Sequence, residues 1–76
     1  MRVNFSAPLR TDLESAVNAA FSKSRIIDVT YIARSVQRRN WEENVALEDI
    51  EQHVVSYANY LGAGVVFDSL ASESSD

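Results

Sequence analysis

Tyr31, Arg34 and Arg38 fall at i, i+3 and i+7, so on a helix one phenol ring and two guanidinium groups share a single outward strip. Arg39 and Trp41 follow close by. Guanidinium forks bind carboxylates or phosphates through paired N–H donors, and an aromatic ring beside them can stack on a base or on another guanidinium. This is binding chemistry rather than bond-making chemistry. A solvated helix face whose arginines pair with Glu42, Glu43 or the following helix would look the same in sequence.

A second strip carries the opposite sign. Glu48, Glu51, Gln52 and Asn59 point to one side of a later helix, with Val55 as a single apolar residue among them. The segregation extends to the whole chain: all seven basic residues lie within the first 39 of 76 positions, and residues 40–76 carry eight carboxylates with no Lys or Arg. Such an asymmetry suits contact with something charged, whether another protein, a nucleic acid or a copy of the same chain. Matched reciprocally, a basic aromatic strip and an acidic strip with an apolar centre are two halves of a twofold contact. Exposed ion pairs add little affinity, so its energy would have to come from Trp41, Tyr31, Tyr60 or the chain ends.

Catalytic and metal chemistry find less support. Asp49 and His53 stand at i and i+4 and could supply two metal ligands, but a stable zinc site needs three or four and spacing indicates no third. His53, the only histidine, reads as a residue at the margin of a buried face. There is no Ser-His-Asp order and no paired-carboxylate signature, and Gly62-Ala63-Gly64 follows a helix where a phosphate cradle would precede one. The expectation is a chain without catalytic activity, cofactor or metal.

The elements that hold these strips follow from apolar periodicity. Leu9, Leu13, Ala16, Val17, Ala20 and Phe21 lie on one face at about 100° per residue, which predicts a first helix. Its start falls between Ala7 and Asp12, with Thr11 and Glu14 in capping-box spacing, and its end near Ser22 to Ser24. Asp28 can cap a second helix with inner face Val29, Ile32, Ala33 and Val36, led in by Ile26 and Ile27. Arg38 and Arg39 favour its C-terminal dipole, and Asn40 is expected as a left-handed stop. After a connection over residues 41–44, Asn44 is expected to cap a third helix with Leu47, Ile50, Val54, Tyr57, Ala58 and Leu61 inward, closed by Gly62.

Residues 2–5 and 64–68 are short, β-branched or aromatic, and bounded by Ser, Pro or Gly. They could pair as a ribbon, which alone would be weak. The expected fold class is therefore mainly α: one three-helix domain over residues 1–68, with a small ribbon from the two terminal segments and an acidic tail of disordered composition over 69–76. The expected core is Leu13, Val17, Phe21, Ile32, Val36, Leu47, Ile50, Val54 and Leu61. A core of that size stabilises a fold only marginally, which favours a second subunit, and the absence of Cys rules out disulfide staples. No apolar run approaches the roughly 20 residues that span a bilayer, and the N-terminus has no hydrophobic leader, so a cytoplasmic protein with no membrane partner is expected.

Two helices joined by a short turn resemble helix-turn-helix DNA readers, in which the second helix enters the major groove by its N-terminal residues. In this chain that helix begins Val45-Ala46-Leu47-Glu48-Asp49-Ile50-Glu51. Its three carboxylates would face a polyanion with no later cation to offset them. The spacing resembles the motif and the chemistry departs from it. The sequence thus favours a small protein-interaction module, homodimeric or an adaptor, binding through Tyr31, Arg34, Arg38, Arg39, Trp41, Glu48, Glu51 and Val55. The alternative is a nucleic-acid-binding regulator using the basic face of residues 28–39.

Overall fold

The structure, a computed structural model, describes residues 5–67. Helix α1 runs Ala7–Ser24, strand β1 Ile26–Asp28, helix α2 Val29–Arg39, a 3-10 turn η1 Trp41–Glu43, helix α3 Leu47–Leu61 and strand β2 Gly64–Val66. The fold is mainly α, as its periodicity dictates. Leu9, Leu13 and Val17 form the buried stripe of α1; Val29, Ile32, Ala33 and Val36 that of α2; Ile50, Val54 and Ala58 that of α3. Each set recurs at three- or four-residue steps, and the three stripes converge with Ile27 on one core.

The two strands are parallel, with Ile26 opposite Gly64, Ile27 opposite Val65 and Asp28 opposite Val66. Parallel strands need a crossover, and here α2, η1 and α3 supply it. Among the described residues this sheet differs from the expected ribbon of terminal segments in one of its strands. Residues 64–66 do form a strand, but their partner is the Ile26-Ile27 pair that the sequence assigns as a lead-in to α2. The apolar lead-in is better used as a strand: Ile27 is fully buried, whereas Ile26 is exposed on the other face. Of the N-terminal segment, residues 1–4 lie outside the described residues, and Phe5 is not in a strand; its ring meets His53 edge-on at 5.2 Å between centroids. The tail over 69–76 also lies outside the described residues.

Local signals differ from expectation at three caps. Ser6, not Thr11, caps α1: its hydroxyl accepts from the Leu9 N–H at 3.2 Å and donates to a Glu43 carboxylate oxygen on η1. Asn40 is not left-handed, with φ at −122°, because its backbone N–H and its side-chain amide both bond the Val36 carbonyl and close α2 without a turn reversal. The left-handed residue is Asn44, φ 55°, which ends η1; Ala46 then stands at the head of α3 with no side-chain cap. Asp28 does cap α2, accepting from the Tyr31 N–H at 3.1 Å, and Gly62 does close α3 at φ 82°. The core also differs from expectation in membership. Leu9, Ile27, Val29, Ala33 and Ala58 are fully buried, whereas Phe21, Leu47 and Leu61 are only partly so and pack on its edge.

Candidate functional site

The C-terminal half of α2 delivers Arg34 and Arg38 to one exposed edge, four residues and about one turn apart. Trp41 follows on η1 and is 71% exposed, a large apolar surface left in water. Asn44 then reverses the chain, its N–H bonding the Trp41 carbonyl at 3.0 Å, and Gln37 donates to the Val45 carbonyl at 3.1 Å. That bond holds the start of α3 alongside α2. The result is a shallow groove whose walls carry Arg34, Arg38 and Trp41 and whose floor includes the partly buried Val45 and Leu47. Among the described residues neither arginine has an ion pair or a side-chain hydrogen bond, so both forks face solvent.

Tyr31 and Arg39 go elsewhere. They line a different depression, between α1 and α2, together with Ala16, Ala20, Lys23 and the exposed Ile26. Tyr31 itself is 66% exposed. Arg39 is bound to Asp12 of α1: its Nε lies 2.9 Å from Oδ2 and its Nη2 2.8 Å from Oδ1, a two-point clamp, and the Asn40 amide adds a third donor to Asp12 at 2.9 Å. The Arg39 fork, opposed by partial burial and aided by Asn40, holds the Asp12 carboxyl below its ordinary range; Asp12 in turn raises Arg39. Arg39 is thus a tie between helices, which leaves Arg34, Arg38 and Trp41 as the unencumbered cationic group.

On α3, Glu48, Glu51, Gln52, Val55 and Ser56 line a second shallow groove that Phe67, just beyond β2, completes. Glu48 and Gln52 are exposed, Glu51 and Val55 are half-buried, and Phe67 remains 37% exposed. The acidic strip expected from the sequence is therefore gathered with an apolar centre of Val55 and Phe67. Among the described residues, neither Glu48 nor Glu51 has an ion pair. Asn59 lies beyond this groove on the exposed side of α3, and Tyr60, 81% exposed, stacks at 6.0 Å between centroids on Tyr57.

The sequence reading missed Gln37, Val45 and Leu47 of the basic groove and Phe67 of the acidic one. Gln37 is three residues from Arg34, so the helical wheel alone could have found it. Phe67 is brought in only by the return of β2 against β1, which no local pattern shows. Among the described residues no three His, Cys, Asp or Glu side chains come together as metal ligands, and no helix is long and apolar enough to cross a membrane. No family model matches the chain, and no curated protein or solved structure is significantly similar to it.

Proposed function

We propose that this chain is a non-catalytic protein-interaction module, acting as a homodimer or as a small adaptor, whose principal contact surface is the Arg34, Arg38 and Trp41 groove. The observation that carries this reading is the coincidence of a 71% exposed Trp with two arginines that have no intramolecular partner among the described residues. Trp and Arg are the side chains over-represented where binding energy concentrates at interfaces. A lone exposed tryptophan in water is a cost that burial against a partner removes, and the flanking forks select for carboxylates. The α3 groove offers a second contact of the opposite sign. A chain without cysteine or a membrane-spanning helix among its described residues suits the cytoplasm.

The test is titration of isotope-labelled protein with a synthetic peptide that alternates Glu with apolar residues, followed through the amide and indole N–H signals. Shifts confined to the Arg34, Arg38 and Trp41 groove, and abolished in Arg34→Glu/Arg38→Glu, are expected. Shifts scattered over other faces, or unchanged in the double variant, contradict the assignment.

A second reading rests on the same unpaired arginines, which could face phosphates instead of carboxylates. It predicts binding to DNA or RNA through α2 that weakens steeply with salt, since each neutralised phosphate releases a counterion. The carboxylates at the start of α3 oppose it. Absence of a salt-dependent nucleic-acid complex removes this alternative.

A further inference from the structure

The two grooves of one molecule have matching contents. One is lined by an indole left largely in water with two cations beside it; the other is a depression whose apolar lining is Val55 and Phe67, with two carboxylates beside them. They are also neighbours. Leu47 lines the first and Glu48 the second, so the grooves meet at the N-terminal turn of α3. A surface that carries both halves of a complementary pair side by side can satisfy both at once by turning a second copy through a half rotation.

The geometry points to a twofold homodimer in which Trp41 of each subunit inserts between Val55 and Phe67 of the other, with Arg34 and Arg38 on Glu48 and Glu51. This inference rests on the interaction-module reading and specifies the partner of the same groove as a second copy of this chain. Charge complementarity names that occupant. The groove asks for an acidic surface with an apolar centre, and such a surface lies on the same chain beside it, so at any concentration of protein the matching partner is present in equal amount. The pairing also explains the exposure of Trp41 and Phe67 together with the half-buried Val55, because each is covered by the same contact. Buried apolar side chains supply the affinity, and the four ion pairs of the closed dimer set the register and disfavour sliding. Ion pairing at the rim makes the association salt-sensitive in rate and degree, while the indole contact persists at high salt.

The experiment is sedimentation equilibrium of the full chain alone and in mixtures, with helical content checked by circular dichroism. Wild type is expected to sediment at twice the 8.5 kDa chain mass at high concentration. Arg34→Glu/Arg38→Glu and Glu48→Arg/Glu51→Arg, which alter side chains with no ion pair among the described residues, are each expected to remain folded and monomeric. Mixed in equal amounts they are expected to form a dimer again, because each reversed groove then faces a groove reversed in the other sense and each native groove faces a native one. Trp41→Ala is expected to be monomeric at every salt concentration. A monomeric wild type, a dimeric charge-reversal variant, or a mixture that stays monomeric would overturn the inference. If wild type is monomeric while an acidic peptide still shifts the Trp41 indole signal, the self-pairing falls and the interaction groove stands. If the indole is also unmoved, both fall.

Discussion

Asp12 and Arg39 show how a single pair can belong to the scaffold although one partner looks like a binding residue. The pair is partly solvated, with the Arg39 side chain 51% and the Asp12 side chain 26% exposed. Solvent screening therefore limits its worth to roughly 0.2–1 kcal/mol, despite the two-point geometry. Because the folded chain depresses the Asp12 pKa from 3.8, its contribution is complete at neutral pH and disappears as pH falls through the depressed value. Asp12→Asn is accordingly expected to lower the midpoint of urea unfolding at neutral pH, with the difference from wild type vanishing at strongly acid pH; a difference that grows on acidification would contradict the assignment. At this scale the sequence was partly legible. Arg34 and Arg38 share a face by spacing alone, and Trp41 lies two residues past the helix. The diversion of Arg39 was not legible, because its partner is 27 positions earlier on another helix. Nor was the separation of Tyr31 from the groove, since a helical wheel shows which way a side chain leaves its own helix and not which neighbour lies there.

Among the elements, the helices were readable and the strands only half so. Leu9, Leu13 and Val17 or Ile50, Val54 and Ala58 repeat at four-residue steps over several turns, a signal that any tertiary setting preserves. A three-residue strand has no such redundancy. Ile26 and Ile27 are compatible with a helix lead-in, and only pairing with Gly64 and Val65, nearly forty residues away, decides otherwise. Caps divide in the same way. Gly62 was legible because an L side chain at φ 82° is strained, whereas Ser6 displaced Thr11 through its added bond to Glu43. Gly62→Ala meets no atom within 4 Å, so its cost is backbone strain alone, about 1–2 kcal/mol, and should appear as a lower unfolding midpoint with an unchanged denaturant slope. Ile27→Ala tests the strand from its buried side. Removing a fully buried Ile is expected to cost about 2–5 kcal/mol, while Ile26→Ala, on the exposed face, should cost far less; equal costs would argue against the observed register.

For the molecule as a whole, one core joins all three helices and β1, so it fails as a unit. Ile50→Asp or Val54→Asp places a carboxylate at a site with no solvent access and no cation; loss of the cooperative transition by circular dichroism is expected for both. The charge asymmetry read from the sequence becomes, in three dimensions, a basic aromatic groove and an acidic apolar one on either side of the start of α3. The sequence supplied both strips but not their adjacency, which depends on Asn44 reversing the chain and on Gln37 holding Val45. The central claim, that the Arg34, Arg38 and Trp41 groove is where this chain meets its partner, is tested most directly by acrylamide quenching of the Trp41 emission. Trp41 is the only tryptophan, and the quencher is neutral, so the signal reports its cover alone. Strong quenching in dilute protein, falling as protein or acidic peptide concentration rises and unchanged in Arg34→Glu/Arg38→Glu, is the predicted result. Quenching that stays equally strong at every concentration of protein and peptide would contradict the claim.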